Sequence, residues 1–276
     1  MESELLKKGI FTFLGIKGGT IINVKLKIEG REFNVYVQDD QYWGSIKDIL
    51  LNREYEYLPE FELKNFKGLV VDIGAQVGLF SLISSIFAKK VIALEPHPVN
   101  YCLLRTNLDK NNITNVVAIN KALWYKTGKI KIFEGTHSGG HSIYQQHTNK
   151  FFEVPTITLS DIIEEFGPID LLKIDIEGAE FTIFEKIKKR TLQCINAIVG
   201  EFHLDYGDIN SIIKRMKKAG FKLHIFYPPL QSQKNTYSIK VHDMLRLKRL
   251  KNFLYLASHL VNFKTKNLAI IFGLRV

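Results

Sequence analysis

A strand that runs into a glycine turn and then into a helix constrains this chain more than any other feature. Leu69–Ile73 is apolar except for Asp72, as expected for a strand buried inside a parallel sheet. Gly74 and Gly78 follow, and a helical pattern begins at Leu79. Glycines at such a turn let the backbone approach a ligand, and the helix N-terminus supplies donors beside it. The segment therefore predicts an α/β fold with a ligand site at the end of this strand.

From residue 68 onward, short apolar runs alternate with helical patterns, which is typical of a parallel sheet covered on both faces. The predicted strands are Leu69–Ile73, Val91–Glu95, Val116–Asn120, Leu171–Ile176, Ala197–Phe202, Phe221–Tyr227 and Leu268–Phe272. The predicted helices are Leu79–Lys89, Val99–Asn111, Leu159–Phe166, Phe181–Lys189 and Asn210–Ala219. Because the seventh strand comes late, we predict a doubly wound, mostly parallel seven-stranded sheet closed by one antiparallel strand.

Residues 1–66 have a different pattern. Two segments, 20–27 and 32–38, alternate apolar and polar residues on either side of Gly30, which predicts a β-hairpin. A helical stretch follows at about residues 45–52, and Pro59 marks a break. We therefore predict an N-terminal hairpin and helix extension at 1–66, packed on a main domain at 67–276.

Composition excludes several classes of protein. The chain has 276 residues, of which 46% are hydrophobic, so disordered and collagen-like chains are excluded. Two cysteines, Cys102 and Cys194, are too few for a disulfide framework and indicate a reducing compartment. No apolar run approaches the roughly 18 residues of a membrane-spanning helix. We expect a cytoplasmic protein.

The formal net charge of +10 permits an anionic partner without choosing one. Basic residues concentrate on predicted helices, where a solvated face is the first interpretation. Residues 242–261 predict one further helix with an apolar stripe and a basic remainder. We expect it to pack on its own domain, with contact to a membrane surface as the alternative. The sequence leaves the oligomeric state open.

An acidic residue ends the second strand of the main domain. Glu95 stands seventeen residues after Gly78. A carboxylate at this point accepts the hydroxyls of a ribose in nucleotide-binding α/β folds, whether the cofactor carries nicotinamide or methionine. The sequence therefore predicts a nucleoside site between the glycine turn and Glu95.

Four segments combine into a recognisable pattern: DIGA at 72–75, EPHPVN at 95–100, LLRTN at 103–107 and LLKIDIEGAE at 171–180. They resemble the FkbM-type S-adenosylmethionine-dependent methyltransferases. The resemblance covers roughly residues 68–205, and its most specific element is the K-x-D-x-E-G-x-E pattern at 173–180. It implies a Rossmann-like class I methyltransferase that uses S-adenosyl-L-methionine to methylate an oxygen.

The resemblance also implies a set of cofactor-binding residues: Asp72, Gly74, Ala75, Gln76, Gly78, Glu95, Asn120, Ala122 and Asp175. The residues of the glycine turn would line the methionine end, and Glu95 would hold the ribose. Asn120 and Ala122 would lie near the adenine, and Asp175 would face the methyl group. Gln76 stands where the family commonly has Asn. Residues 1–66 and 228–267 have no counterpart in the pattern, so we expect substrate choice to lie there.

Methyl transfer to a hydroxyl requires that the protein align the acceptor and remove its proton. The candidate bases are Asp175, Glu201, His203 and His141. Glu201 and His203 share one face of their strand because they are two residues apart. A divalent cation held by Asp175, Glu201 and His203 is an alternative, but their spacing is not diagnostic, and we predict no metal ligand.

The main prediction is an S-adenosylmethionine-dependent methyltransferase acting on a hydroxyl of a small molecule, sugar or glycan. Three alternatives stay open. An NAD-dependent oxidoreductase is disfavoured because the middle glycine of G-x-G-x-x-G is missing. A noncatalytic adenosyl-binding module has no sequence feature against it. An RNA ribose methyltransferase, and with it a nucleic-acid partner, is favoured only by the net charge.

Overall fold

The computed structural model describes residues 21–38, 46–135, 140–144, 149–227, 238–240 and 267–276. Its strands are β1 (Ile21–Ile28), β2 (Arg31–Gln38), β3 (Leu69–Ile73), β4 (Lys90–Leu94), β5 (Val116–Ile119), β6 (Ala122–Leu123), β7 (Gly128–Phe133), β8 (Phe151–Ile157), β9 (Ile169–Ile174), β10 (Ile195–His203), β11 (Phe221–Phe226), β12 (Ser238–Lys240) and β13 (Leu268–Arg275). Its α-helices are α1 (Leu79–Ser84), α2 (Pro98–Lys110), α3 (Leu159–Phe166), α4 (Ala179–Lys186), α5 (Lys189–Leu192) and α6 (Ile209–Lys218).

A seven-stranded sheet forms the centre, in the order β11-β13-β10-β9-β3-β4-β5. The strands β10, β9, β3, β4 and β5 pair in parallel, and β13 lies antiparallel between β10 and β11. This architecture confirms the predicted α/β fold class. All seven predicted strands are present, each within three residues of its predicted bounds.

The sheet is covered on both faces. Consecutive residues of a strand point to opposite faces, and Val70 and Val71 accordingly belong to two different apolar clusters. One cluster packs the sheet against α1, α2 and the β1–β2 hairpin, while the other packs it against α3, α4 and α6. All five residues of β3 are therefore buried. The glycine turn follows its C-terminal end.

The predicted N-terminal hairpin is confirmed, with β1 and β2 paired from Ile21 opposite Gln38 to Ile28 opposite Arg31. Two asparagines of α2 dock it on the main domain. Asn107 Oδ1 accepts the backbone N–H of Tyr36 at 2.7 Å, and Asn111 Oδ1 accepts that of Asn34 at 2.8 Å. The extension thus shares its core with the central sheet.

A second small sheet, in the order β6-β8-β7, was not predicted. Ala122, Ile132 and Val154 form a small buried core of its own, while Leu123 and Ile157 belong to the second cluster of the central sheet. In β7 only Ile132 is buried, which leaves a weak hydrophobic signal, and Pro155 within β8 argues against a strand. This sheet lies between β5 and α3 along the chain.

Other differences concern helix lengths. The helix predicted at Leu79–Lys89 ends at Ser84, where Ser85 Oγ bonds to the carbonyl of Leu82 and competes with helix continuation. The helix predicted near residues 45–52 is a π-helix at Ile46–Leu51. The helix predicted at 242–261 lies outside the described residues. Among the helices that the structure describes, none has the length and hydropathy that a bilayer crossing requires.

Candidate active site

A pocket of about 650 Å³, counted with its open mouth, lies at the carboxyl ends of β3, β4 and β9. Ligands in open α/β sheets bind at this edge. Its polar lining comes from Gln76, Glu95, Asn100, Lys121, His141, Asp175 and Glu177. Its apolar lining includes Ala122 and Leu123 of β6, Ile130 and Ile132 of β7, and Ile143. The small sheet that the sequence did not predict therefore forms one wall.

Glu95 follows β4 directly and is buried, with 4% of its surface exposed. Its Oε2 accepts the backbone N–H of Gln76 and its Oε1 that of His97, both at 2.8 Å. Burial raises the pKa of Glu95 to about 7, although these N–H groups and the charge of Lys173 act in the opposite direction. Asn100 also makes a side-chain hydrogen bond to this carboxyl group. In its ionised form the group has only acceptor sites, which suits the hydroxyls of a ribose.

The turn after β3 is held in an unusual backbone conformation. Gly74 has φ 76°, and a Cβ there would stand 1.8 Å from the carbonyl oxygen of Asp175. Gln76 and Glu177, both on the pocket wall, also have left-handed φ values of 50° and 53°. Such conformations cost about 1 kcal/mol or more in residues other than glycine and cluster at functional sites. The bond from Gln76 N–H to Glu95 fixes one of them.

Asp72 lies behind the turn and does not line the pocket. It is fully buried, its Oδ2 accepts the Ser81 hydroxyl at 2.6 Å, and its Oδ1 pairs with Lys173 Nζ at 3.2 Å. Lys173 Nζ also donates to the carbonyl of Gly74 at 3.0 Å. Burial works against the charge of Lys173, but Asp72 and Asp175 outweigh it and raise its pKa. This ion pair supports the glycine turn on the side away from the pocket.

The other residues expected at the cofactor fall into two groups. Gly74, Gln76, Glu95, Ala122 and Asp175 all line the pocket. Ala75, Gly78 and Asn120 do not line the pocket, but their contacts support the residues that do. The N–H of Ala75 bonds to the carbonyl of Leu94 at 2.9 Å, and Gly78 packs against Leu104. Asn120 Nδ2 donates to the carbonyls of Glu95 and Pro96 at 2.8 and 3.0 Å, which fixes the backbone that carries the Glu95 side chain.

Asp175 follows β9 and stands at the opposite side of the pocket from β4. Its backbone N–H bonds to the carbonyl of Ile73 at 3.1 Å, which ties it to the end of β3. Its Oδ2 lies 3.2 Å from the hydroxyl of Tyr55, and that hydroxyl lies 2.9 Å from Oε1 of Glu201. The sequence analysis missed Tyr55, because it belongs to a short 3-10 turn, Glu54–Glu56, that has no helical or strand periodicity.

His203 is clamped between two carboxylates. Its Nδ1 lies 3.3 Å from Glu180 Oε1, and its Nε2 lies 3.3 Å from Glu177 Oε2. Burial alone lowers the pKa of His203, but the hydrogen bonds and charges of Glu177 and Glu180 prevail and raise it to about 12. Both ring nitrogens are therefore protonated donors at neutral pH. Glu180 Oε1 also accepts the backbone N–H of Ile176, which fixes the start of α4.

His141 lies on the pocket wall and stacks on His97, with ring centroids 4.0 Å apart and planes 7° from parallel. Its Nδ1 accepts the N–H of Gly135 at 3.2 Å. Burial and the neighbouring His141 lower the pKa of His97 to about 3, so His97 stays neutral. The stack connects the loop after β7 to the segment that follows Glu95.

Asp175, Glu177 and His203 bring three potential ligand atoms within 4.8 Å of one another. Two of them, Asp175 and His203, belong to the set considered above for a cation; Glu201 instead contacts Tyr55. The ring nitrogens of His203 already contact Glu177 and Glu180, so a cation bound here would have to displace one of these contacts.

Comparison with known proteins agrees with this geometry. A family model described as the methyltransferase FkbM domain matches residues 72–223, which is more than half of the chain. The methyltransferase sdnD of Sordaria araneosa is 28% identical over 190 residues, covering 56% of this chain and 73% of its own length. The 31-O-demethyl-FK506 methyltransferase FkbM of Streptomyces tacrolimicus is 24% identical over 198 residues, covering 59% and 75% respectively.

Among solved structures, the methyltransferase FkbM from Methylobacillus flagellatus matches at 17% identity with a TM-score of 0.42. The match covers 59% of this chain and 40% of that one. The family match contains the glycine turn, Glu95 and Asp175, which are the residues that form the pocket. The chain belongs to the family of FkbM-domain methyltransferases.

Proposed function

We propose that this protein transfers the methyl group of S-adenosylmethionine to a hydroxyl oxygen of a small molecule or sugar. The observation that carries the proposal is the pocket itself, which has a ribose-type carboxylate, Glu95, at β4 and a second carboxylate, Asp175, at β9. The cofactor would supply a methyl group already activated by a positively charged sulfur. The protein then has to orient the acceptor and receive its proton.

Glu95, the glycine turn and β6 would hold the adenosine part of the cofactor. Both oxygens of Glu95 are already oriented by backbone N–H groups, so little reorganisation is needed to accept two hydroxyls. Ala122, Leu123 and Ile130 supply apolar contacts on the side of the small sheet, which suits a purine ring. The acidic lining around Asp175 and Glu177 suits the positive charge of the sulfonium and of the amino group.

Asp175 is the group that we propose as the acceptor's base. It lines the pocket, whereas Glu201 does not and is occupied by Tyr55. Glu177 and Glu180 raise the pKa of His203 and so favour its protonated form, which has no lone pair to take a proton. His141 Nδ1 is occupied by Gly135, and the ring stacks on His97, two residues after Glu95.

The test combines an acceptor panel with one matched pair of variants. Wild-type protein is incubated with S-adenosylmethionine labelled in its methyl group and with sugars, phenols, aliphatic alcohols, amines and RNA. We expect label only in hydroxyl compounds. Label in amines or RNA bases, or in no acceptor of any class, would overturn the proposal.

Asp175→Asn keeps the shape of the side chain and removes its charge. We expect turnover to fall roughly 10² to 10⁴-fold, with the dissociation constant of S-adenosylhomocysteine changed less than about tenfold. The matched control is Asp170→Asn, on the same strand but at its other end, where Oδ2 accepts the N–H of Gly68 at 2.9 Å. Normal turnover in a folded Asp175→Asn enzyme would remove Asp175 from the reaction.

A further inference from the structure

Tyr55 connects the N-terminal extension to Asp175 on the pocket wall. It lies upstream of the matched family domain, which begins at residue 72, and only 4% of its surface is exposed. Its hydroxyl stands between two carboxylates, 3.2 Å from Asp175 Oδ2 and 2.9 Å from Glu201 Oε1. These partners are 120 and 146 residues away along the chain, so this contact is made by the tertiary fold.

The ring of Tyr55 is held firmly. It packs edge-on against Phe80 of α1 with centroids 5.8 Å apart, and Lys173 Nζ lies 5.4 Å from its centre. The turn that carries it is fixed by a buried ion pair from Arg53 Nη2 to Glu56 Oε1 at 2.6 Å. Glu56 Oε1 also accepts the N–H of Leu63 at 2.9 Å. The hydroxyl position is therefore set by packing and does not depend on the carboxylates alone.

One hydroxyl carries one proton, so Tyr55 can donate to only one of the two carboxylates at a time. It can accept a hydrogen bond from the other only when that other carboxyl is protonated. Burial and the neighbouring carboxylates raise the pKa of Tyr55, which keeps it a neutral hydroxyl. The arrangement thus has room for one additional proton, on either Asp175 or Glu201.

We propose that Tyr55 is a positioning residue for the methyl transfer, orienting Asp175 toward the acceptor and passing the acceptor's proton from Asp175 to Glu201. This inference rests on the proposed function. As the bond from the acceptor oxygen to the methyl carbon forms and the sulfur–carbon bond breaks, Asp175 takes the acceptor proton. Asp175 then gives a proton to the Tyr55 oxygen while Tyr55 gives its own to Glu201. Asp175 is ionised again, Tyr55 is unchanged, and Glu201 holds the proton.

Several elements contribute charged groups around Asp175, Tyr55 and Glu201. The titratable or charged groups around Asp175, Tyr55 and Glu201 are Asp72 on β3, Lys173 on β9, Glu177 before α4, Glu180 on α4, His203 on β10 and Glu54 beside Tyr55. All of them remain when the Tyr55 hydroxyl is removed. A hydroxyl donor stabilises the ionised form of a carboxylate, so its loss makes ionised Asp175 and Glu201 less stable.

The decisive variant is Tyr55→Phe, which keeps the ring and removes only the hydroxyl. Tyr57→Phe is its matched control, because Tyr57 lies two residues on and packs edge-on against Phe226, with centroids 5.0 Å apart. We measure melting temperature, affinity for S-adenosylhomocysteine, carboxyl titration by ¹³C nuclear magnetic resonance, and the pH profile of single-turnover transfer to an acceptor found in the panel.

For Tyr55→Phe we expect affinity for S-adenosylhomocysteine within about threefold of wild type and a rate lower by about 10 to 100-fold. The acid limb of the rate profile and the first proton uptake by the carboxylate pair should both move to higher pH. Tyr57→Phe should leave all four readouts unchanged. A purely structural tyrosine would lower the melting temperature without moving the acid limb of the rate profile.

Equal carboxyl titrations and equal rate profiles in Tyr55→Phe and Tyr57→Phe would overturn the inference. Should Tyr55→Phe not fold, Glu201→Gln decides, because it keeps the Asp175 contact but removes the final proton acceptor. We expect it to slow transfer at least tenfold, and a wild-type rate would refute the relay. Failure of the wild type to bind S-adenosylhomocysteine would instead overturn the proposed function, while the titration would still report on Tyr55.

Discussion

Glu95 is both the residue that the sequence analysis assigned to the ribose and a carboxylate whose charge depends on pH near neutrality. Its pKa is raised to about 7 by burial, and the ionised form is the stronger acceptor because it carries no O–H of its own. Binding of a ribose therefore favours ionisation. We expect affinity for S-adenosylhomocysteine to rise on the order of tenfold between pH 6 and pH 8, as measured by calorimetry.

The control for this prediction is Glu95→Gln, which retains the shape of the side chain but cannot ionise. Its affinity should be lower than that of the wild type at pH 8 and independent of pH over the same range. A pH dependence that persists in Glu95→Gln would assign the titration to another group and separate Glu95 from cofactor affinity.

At the residue scale, sequence reasoning identified candidates through their position relative to strands. Glu95 and Asp175 end buried strands, and the structure has both on the pocket wall. The same reasoning did not distinguish Asp72, which points behind the turn to Lys173, from the residues that face the pocket. It also could not identify Tyr55, since nothing local to a 3-10 turn indicates contacts with residues more than a hundred positions away.

At the element scale, helix α2 connects the N-terminal extension to the glycine turn after β3. Asn107 of α2 accepts the N–H of Tyr36 on β2 and donates to the carbonyl of Val77 in the turn, at 2.7 and 2.8 Å. Asn111, one helical turn later, makes the same kind of bonds to Asn34 but is not bonded to the turn. The hairpin therefore supports the glycine turn at the pocket as well as covering the sheet.

This connection predicts different results for two similar substitutions. Asn107→Ala leaves buried groups of β2 and of the glycine turn without partners, which costs about 2 to 4 kcal/mol of unfolding free energy. We expect it also to weaken binding of S-adenosylhomocysteine by about threefold to tenfold. Asn111→Ala should lower stability while affinity stays unchanged, as checked by denaturant unfolding and calorimetry. Equal losses of affinity in both variants would contradict the connection.

The strands of the central sheet were predicted well, and those of the small sheet β6-β8-β7 were not. The central strands contain continuous apolar runs because both of their faces are covered, and this produces an unambiguous signal. In β7 only Ile132 is buried, so its alternation of Lys and Ile was not recognised as a strand. The wall of the pocket that β6 and β7 provide was consequently absent from the sequence-based site.

At the scale of the whole molecule, the fold places every group of the proposed reaction along one edge of the sheet. The central strands β3, β4 and β9 bring the glycine turn, Glu95 and Asp175 together, and the extension adds Tyr55. The net charge of +10 takes no part in this account, because the pocket lining around Asp175 and Glu177 is acidic. Fold class and family followed from the sequence, whereas the contact of Tyr55 with Asp175 required the structure.

Calorimetric titration of the wild-type protein at pH 8 with S-adenosylhomocysteine and NAD in parallel tests the central claim most directly. Both ligands offer an adenosine ribose to Glu95, but only the first offers a methionine moiety to the acidic groups at the end of β9. The account predicts one molecule of S-adenosylhomocysteine bound per chain and no measurable heat with NAD. Binding of NAD without binding of S-adenosylhomocysteine would contradict it.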